Sequence, residues 1–179
     1  MKQKKLSKKQ IQKKASKIKL VITDVDGVLT DTGVYYSGKG EELKRYSIRD
    51  GMGMERLKEL VNVETAIMTR ENTEIVSSRA KKLQINKLYL GVQEKEKTFD
   101  EIISSNHLKA DEVAFIGDDT NDISIMKKVG LSACPGDATK FAKEIADVIM
   151  KSKGGNGAFR DFAELIIEAK QKKIKRVKK

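Results

Sequence analysis

The sequence predicts an α/β fold built on a doubly wound parallel sheet, and three features of the chain support this. Short apolar runs rich in β-branched residues, typical of buried strands, recur along it. Segments with apolar residues at helical spacing separate these runs, and strands that alternate with helices form parallel sheets covered on both faces. Acidic residues follow two of the strands, where open α/β sheets bind their ligands. The length of 179 residues suits one domain with a sizeable core.

The apolar runs predict six strands: Ile18–Thr23, Val63–Thr69, Lys87–Leu90, Glu112–Ile116, Leu131–Cys134 and Ala146–Met150. The segments between them predict four helices: Met52–Val61, Thr73–Leu83, Lys97–His107 and Asp122–Val129. Residues 33–48 break the alternation and form two extended arms around Ser-Gly-Lys-Gly, which indicates a β-hairpin. Because an isolated hairpin is marginally stable, we expect it to pack on something, and another subunit is a candidate.

The formal charge of +11 belongs to the two ends of the chain. Residues 1–19 carry nine lysines and residues 170–179 carry seven basic residues, and neither stretch contains an acid. We therefore expect a basic N-terminal extension (1–17), a central domain (18–169) and a basic C-terminal tail. The tails favour solvated helix ends, with binding to nucleic acid or an anionic membrane as the alternative. Because they lack aromatic residues for base stacking, we do not expect a nucleic-acid partner.

The remaining composition excludes several classes of protein. Cys134 is the single cysteine, so the chain has neither an internal disulfide framework nor a cysteine-rich zinc site. No apolar run approaches the ~18 residues of a membrane-spanning helix. No apolar segment follows the basic N-terminus, as it would in a secretory signal. We expect a cytoplasmic protein without a membrane span.

Acidic residues at two strand ends carry the predicted chemistry. Asp24 and Asp26 end the first strand, and two such carboxylates repel unless a cation intervenes. A second cluster, Gly117-Asp118-Asp119-Thr120-Asn121-Asp122, follows the fourth strand. Carboxyl ends of parallel strands meet at one edge, and ligands that are all oxygen favour Mg²⁺. The alternative is that these acids only cap turns and helices.

Two further residues are placed to hold an anion near that edge. Thr69 ends the second strand, and Lys95 precedes a predicted helix. A hydroxyl and a lysine on the same edge are able to hold a phosphate against the metal. Each is weak evidence alone, since both residue types are common at such positions.

The chain resembles the haloacid dehalogenase superfamily, whose Rossmann-like fold carries four motifs at strand ends. The segment Asp24-x-Asp26-Gly-Val-Leu-Thr-Asp, together with Thr69, Lys95 and Gly-Asp118-x-x-x-Asp122, is similar to these motifs in order and in position. The stretches GVLTD, EELKRYSIRDGMG, EVAFIGDDTND and GGNGAFR resemble more closely the small phosphatases of 2-keto-3-deoxy sugar acids that lack a large cap. These include the 3-deoxy-D-manno-octulosonate 8-phosphate (KDO 8-phosphate) phosphatases and the C9 ulosonate 9-phosphate enzymes. The resemblance covers about residues 15–168.

The resemblance implies a Mg²⁺-dependent phosphatase of lipopolysaccharide biosynthesis and a role for each motif residue. Asp24 would be the nucleophile that forms an aspartyl-phosphate, and Asp26 the general acid and base. Mg²⁺ would be held by the Asp24 carboxylate, the Asp26 carbonyl oxygen and Asp118. Thr69 and Lys95 would bind the transferring phosphoryl group. The implied supports behind the metal ligands are Asp119 and Asp122.

The resemblance also implies a homotetramer, in which the hairpins of four subunits pack together and a neighbour closes the pocket. The segment Gly154-Gly155-Asn156-Gly157 resembles a flexible segment that places the C-terminal tail near an active site. Arg70 departs from the family, which usually has glycine there, and either crowds the pocket or adds a substrate contact. Glu71 and Lys82 resemble a pair that supports recognition of C9 sugars. The C8 sugar acid, as the broader family substrate, and the C9 sugar acid (KDN or N-acylneuraminate 9-phosphate) both stay open.

A receiver-like domain without enzymatic turnover is the competing interpretation from another class. Such a domain also places acidic residues and a lysine at strand ends and forms an aspartyl-phosphate. Two aspartates separated by one residue favour turnover, because the second is able to act as an acid and a base.

Overall fold

The computed structural model describes residues 6–177. Its strands are β1 (Leu20–Thr23), β2 (Thr30–Ser37), β3 (Gly40–Tyr46), β4 (Glu64–Met68), β5 (Lys87–Tyr89), β6 (Val113–Ile116), β7 (Leu131–Cys134) and β8 (Val148–Ile149). Its α-helices are α1 (Lys8–Ala15), α2 (Ile48–Val61), α3 (Glu74–Lys82), α4 (Lys95–Ser105), α5 (Ile123–Lys128), α6 (Lys140–Ile145) and α7 (Ala158–Val177). The six strands predicted from apolar runs are all present, and the predicted fold class is confirmed.

Six strands form one parallel sheet in the order β5-β4-β1-β6-β7-β8. The chain moves from β1 outward through β4 to β5, and then crosses back to β6 on the other side of β1. This reversal opens a crevice outside the carboxyl ends of β1 and β6, which is where ligands bind in such sheets. Thr23 pairs with Ile116 across these strands, so the residues after them begin side by side.

Helices cover both faces of the sheet and bury a separate apolar core on each. One core packs residues of α1, α2, α3 and α7 against the sheet, including Leu57, Phe159 and Phe162. The other packs α4, α5 and α6 against the opposite face and includes Phe99 and Phe115. All four residues of β1, β6 and β7 are buried, so these strands are mostly apolar and do not alternate, with Thr23 and Ser132 as their polar residues.

Helix α2 begins four residues before the predicted start, because Ser47 caps it. The Ser47 hydroxyl accepts a hydrogen bond from the Asp50 amide, and Asn62 ends the helix in the left-handed conformation. The buried Asp50 carboxylate in turn accepts the amides of Gly157 and Arg160 and so caps the start of α7. Asp50 therefore joins the two helices that cover one face of the sheet.

Strands β2 and β3 form the predicted antiparallel hairpin outside the main sheet. Gly40 has the positive φ that the turn requires, with φ +109°. The outer side of the hairpin exposes Tyr35, Tyr36 and Leu43, each more than half accessible. An apolar surface of this kind on a small hairpin is typical of an interface.

The two basic ends are helical in the part of the chain that the structure describes. Helix α1 packs on α7, with Ala15 fully buried. The Lys170 ammonium donates to the carbonyl oxygen of Ile18, and α7 continues to Val177. Within the described residues, the basic segments are thus helices of the same folded unit. No helix in this part of the chain has the length and apolarity needed to cross a membrane.

Candidate active site

The residues after β1 form a tight turn that presents two carboxylates. The Asp24 amide donates to the carbonyl oxygen of Ile116, which extends the β1–β6 pairing by one residue. The chain then turns at Gly27, where φ is +84°. A Cβ atom on Gly27 would overlap the carboxylate of Asp118, so glycine is required for the two acidic segments to approach each other.

The second acidic segment is organised by Asp122, which is fully buried. One Asp122 carboxylate oxygen accepts the amides of Asp118 (2.8 Å) and Asp119 (3.3 Å). The other accepts the Lys95 ammonium at 2.6 Å. The Asp119 carboxylate accepts the Thr120 amide and caps the short turn before α5. Asp122 therefore shapes the loop that presents Asp118.

Three carboxylates meet at the predicted edge of the sheet. Oxygen atoms of Asp24, Asp118 and Asp122 all lie within 4.8 Å of one another. The ammonium of Lys95, whose side chain is 1% exposed, lies 2.9 Å from Asp24 and 2.6 Å from Asp122. The cluster thus contains three acids and one base, and its negative groups outnumber its positive group inside a largely buried crevice.

This crowding shifts the pKa values of two carboxylates. Burial raises the pKa of Asp24 to about 7, and the charge of Asp122 adds to the rise while Lys95 opposes it. Burial and the charges of Asp24, Asp122 and Asp119 raise the pKa of Asp118 to about 8. The opposing acids raise the pKa of Lys95 although its burial acts to lower it. Both carboxylates are thus destabilised as anions, which is the condition that a bound cation relieves.

The donor set fits a hard divalent cation. It consists of carboxylate oxygens only, which Mg²⁺ prefers to sulfur or imidazole donors. The oxygens of Asp122 are already used by Lys95 and two amides, whereas Asp118 has no comparable cationic partner among the described residues. Asp24 and Asp118 are therefore the carboxylates best placed to hold the ion, with Asp122 fixing their surroundings.

Asp26 stands apart from the cluster, although it lies only two residues after Asp24. Its carboxylate oxygens lie 2.9 Å from the ammonium of Lys44 on β3, and one accepts the Thr30 hydroxyl at 3.4 Å. The Asp26 side chain is about one-third exposed and the Lys44 side chain is 1% exposed. The contact between Lys44 and Asp26 thus joins the β2–β3 hairpin to the turn that follows β1.

Thr69 lies at the same edge of the sheet, one strand away from Asp24. It is buried, and its hydroxyl accepts the amide of Glu71. Because β4 pairs in parallel with β1 up to Ile67 and Thr23, Thr69 and Asp24 both follow the carboxyl ends of adjacent strands. The structure therefore brings Thr69, Lys95 and the acidic cluster to one edge, as the strand-end pattern predicted.

The three predicted specificity residues separate into two places. Arg70 is exposed and lines a cleft of about 450 Å³ together with Lys95 and Asn121. Glu71 is exposed at the same edge of the sheet. Lys82 instead ends α3 and lines a groove of about 760 Å³ with residues 64 and 65, which begin β4.

Glu71 and Lys82 are therefore not brought together within one chain. Four residues of strand, or ~13 Å, separate Thr65 from Thr69. Lys82 lies beside the start of β4, and Glu71 lies just beyond its end. A helix that follows a parallel strand runs back along the sheet, so residues at its two ends face opposite edges. The described ion pairs include none between Glu71 and Lys82.

The glycine segment 154–157 packs against the turn that follows β1 (residues 24–30). The Gly155 amide donates to the carbonyl oxygen of Val28, and a Cβ on Gly154 would overlap the carbonyl oxygen of Gly27. The Arg45 guanidinium contacts Asn156 and Asp31. The sequence analysis did not predict this packing of residues 154–157, nor the contact of Lys44 with Asp26, because neither segment follows a strand end of the main sheet.

Comparisons with known proteins agree with this geometry. The family model of haloacid dehalogenase-like hydrolases matches residues 41–160. The KDO 8-phosphate phosphatase of Haemophilus influenzae is 35% identical over 162 residues, which are 90% of this chain and 89% of that protein. The enzyme of Escherichia coli strain B is 37% identical, over 90% of this chain and 86% of its own.

Solved structures show the same relationship. The Yersinia pestis KDO 8-phosphate phosphatase is similar with a TM-score of 0.87 at 36% identity, covering 91% of this chain and 88% of that chain. The Moraxella catarrhalis enzyme, in complex with magnesium ion, phosphate ion and KDO, has a TM-score of 0.87 at 30% identity. It covers 94% of this chain and 96% of its own. The chain belongs to the haloacid dehalogenase-like hydrolases and, among them, to the family of the KDO 8-phosphate phosphatases, as its motifs predicted.

Proposed function

We propose that this protein is a Mg²⁺-dependent phosphatase that hydrolyses 3-deoxy-D-manno-octulosonate 8-phosphate. The observation that carries the proposal is the cluster in which Asp24, Asp118 and Asp122 lie within 4.8 Å of one another around the Lys95 ammonium. The relatives named for this activity support the substrate, since they match about nine-tenths of the chain.

Asp24 is proposed as the nucleophile. Its carboxylate oxygen attacks phosphorus, the bond to the sugar oxygen breaks, and the phosphoryl group is carried on Asp24 as an aspartyl-phosphate. Asp26 gives its proton to the departing sugar oxygen, which leaves as an alcohol. Asp26 then takes a proton from the water that attacks the phosphoryl group, so that inorganic phosphate is released and both aspartates are restored.

Charge neutralisation is the main requirement, because an anionic nucleophile must approach an anionic phosphate. When bound, Mg²⁺ would be held by the carboxylates of Asp24 and Asp118 and the carbonyl oxygen of Asp26, and it supplies positive charge at the phosphoryl oxygens. Lys95 adds a fixed positive charge beside Asp24, and the Thr69 hydroxyl would donate to a phosphoryl oxygen. Asp119 and Asp122 hold the loop of Asp118 in shape.

The position of Asp26 favours an enzyme over a receiver-like domain. Its carboxylate lies outside the cluster of three acids and is partly exposed, so it is accessible to a leaving group and to water. A receiver-like domain gains nothing from a second acid at this position, because its phosphoryl state must last.

The choice between C8 and C9 sugar acids depends on the residues that follow Thr69. Arg70 lines the cleft beside Lys95, where its guanidinium is placed to meet a sugar carboxylate. The C9 interpretation relied on Glu71 acting with Lys82, which the single chain keeps at opposite ends of β4. This separation favours the C8 substrate unless a neighbouring subunit supplies the lysine.

A direct turnover comparison tests the proposal. Purified protein with Mg²⁺ is given KDO 8-phosphate or a C9 ulosonate 9-phosphate, and released phosphate is measured. We expect kcat/KM to be higher for KDO 8-phosphate, and turnover to vanish with a chelator and in Asp24→Asn. Asp111→Asn, which changes an exposed aspartate paired with Lys17, is the matched control and keeps full activity. Preference for the C9 ester, or turnover that survives chelation, would contradict the proposal.

Homotetramer assembly through the hairpins is proposed as well, together with a cytoplasmic location. The exposed apolar side chains of Tyr35, Tyr36 and Leu43 support a packing surface there. Light scattering of purified protein measures the assembly, and a mass of one chain of 20.0 kDa would contradict it.

A further inference from the structure

Lys44 is a buried lysine that the proposed reaction does not use. It lies on β3, outside the parallel sheet, and its side chain is 1% exposed. Its ammonium lies 2.9 Å from both carboxylate oxygens of Asp26 and 3.4 Å from Glu41. Burying a lysine removes the strong hydration of its ammonium, which costs free energy. The buried position of Lys44 therefore requires a compensating interaction.

The neighbours of Lys44 show what this charge faces. The adjacent hairpin residues Leu43 and Arg45 are exposed, whereas Glu41, Lys44 and Tyr46 face inward toward the catalytic turn. Among these inward groups, Lys44 is the cation that contacts Asp26. The Thr30 hydroxyl adds a weaker contact, at 3.4 Å, from the turn itself.

The geometry explains why Asp26 stays out of the acidic cluster. Asp26 is two residues from Asp24, and a free carboxylate so close to a divalent cation would be drawn toward it as an additional ligand. A carboxylate bound to the cation would no longer be available to the leaving oxygen. Lys44 offers a competing positive charge from the hairpin and contacts both oxygens of Asp26.

We propose that Lys44 is a positioning residue that holds the Asp26 carboxylate away from the metal ligands and toward the leaving group. This inference rests on the proposed phosphatase reaction. It makes the hairpin part of the catalytic apparatus in each chain, in addition to any role in assembly.

The test compares phosphate esters whose leaving groups differ in their need for a proton. Substituted phenyl phosphates, from dinitrophenyl to phenyl, are hydrolysed by wild-type protein, Lys44→Met and the hairpin control Arg45→Met. Arg45→Met removes the neighbouring contacts to Asp31 and Asn156 and leaves the Lys44 contact in place. Far-ultraviolet circular dichroism checks the fold, and Lys44→Gln, which keeps a polar side chain, serves if Lys44→Met does not fold.

Lys44→Met is expected to lower kcat for phenyl phosphate about 10- to 100-fold, which is part of the roughly 10²- to 10⁴-fold that general acid catalysis contributes, and for dinitrophenyl phosphate less than about threefold. Arg45→Met should lower both by the same small factor. In an Asp26→Asn background, Lys44→Met should cause no further loss, because a residue that acts through Asp26 has nothing left to position.

An equal loss for all esters, or the same loss with and without Asp26, would overturn the role of Lys44 and assign it to hairpin stability. If the wild-type protein releases phosphate from neither these esters nor KDO 8-phosphate in the presence of Mg²⁺, the phosphatase proposal itself fails. The two failures are thus distinguished by the wild-type rate alone.

Discussion

Lys95 and Lys44 are both buried lysines that pair with carboxylates of the proposed active site, but they belong to different kinds of structural element. Lys95 begins α4 at the edge of the parallel sheet and contacts acids that follow β1 and β6, two adjacent strands of the core. Lys44 lies in a two-stranded hairpin whose outer side is exposed. The proposed nucleophile and its proposed cation site are therefore fixed by the core, whereas the proposed acid–base residue depends on a peripheral element.

This difference predicts that changes at the sheet edge affect both stability and activity, whereas changes in the hairpin affect mainly activity and assembly. Core elements unfold together, but a hairpin outside the sheet is able to shift without global unfolding. The following experiments compare the two regions, beginning with the largest expected effect.

Replacing Lys95 by methionine should give the largest loss. The three acids would lose their only described buried cation, and breaking a buried ion pair costs about 3–5 kcal/mol. We expect urea unfolding at pH 8 to show this loss and kcat/KM to fall more than about 100-fold. Lys128→Met is the matched control, since Lys128 pairs with Glu96 and Asp100 at the surface. Similar unfolding midpoints for both variants would show that the buried ion pairs of Lys95 stabilise the fold no more than the surface ion pairs of Lys128.

Adding one methyl group at Gly27 should damage the cation site with less effect on the rest of the fold. The new Cβ would overlap the Asp118 carboxylate, and φ of +84° is unfavourable for alanine. We expect the Mg²⁺ concentration for half-maximal turnover to rise about 10- to 100-fold in Gly27→Ala. Gly38→Ala, at the hairpin turn where a Cβ meets no atom within 4 Å, should behave as wild type. An unchanged Mg²⁺ requirement in Gly27→Ala would contradict the close approach of Gly27 to the Asp118 carboxylate.

The raised pKa values predict opposite effects of pH with and without Mg²⁺. Asp24 and Asp118 have pKa values of about 7 and about 8 in the folded chain, above the ordinary value of 3.8. Their contribution to stability is present below pH 3.8 and is lost as pH rises through 7 and 8. Without metal, the free energy of unfolding should therefore fall as the pH rises from 5 to 8, by about 1.4 kcal/mol per pH unit for each carboxyl group until its folded pKa is reached.

Mg²⁺ should reverse this trend, because it binds the ionised carboxylates and stabilises the folded state. The rise in Tm caused by Mg²⁺ is therefore expected to be larger at pH 8 than at pH 5.5. Asp118→Asn, which lacks one of the two groups, should flatten both trends. A Tm that rises with pH in the absence of metal would contradict the raised pKa values of Asp24 and Asp118.

Changes on the outer side of the hairpin should have the smallest effect on the single chain. Tyr36 is 71% exposed, and we expect Tyr36→Ser to alter the free energy of unfolding of a monomer by less than about 0.5 kcal/mol. If the hairpins form the interface, the same change should shift the protein to smaller species on size-exclusion chromatography. Phe141→Ser, which changes an exposed aromatic residue on α6, should leave the assembly intact. Equal elution of Tyr36→Ser and wild type would place the interface elsewhere.

Much of the core site was predictable because it follows strand ends. The apolar runs identify β1 and β6, and parallel strands bring their carboxyl ends to one edge, so Asp24 and Asp118 meet there. Thr69 and Lys95 are placed by the same rule. The hairpin was also predictable from its two glycines, but its contact with Asp26 was not, since 18 residues separate Lys44 from Asp26.

The order of strands and helices is readable from the residue pattern, because it depends on local hydrophobic periodicity. The acidic segments at two strand ends and the glycines of the tight turns are readable in the same way, because they depend on neighbouring residues and on backbone freedom. Three features became visible only in the folded chain: Lys44 faces Asp26, Lys82 lies away from Glu71, and the glycine segment 154–157 packs against the turn that follows β1. Such contacts depend on how elements distant in the chain are oriented against each other, and residue spacing does not encode that orientation.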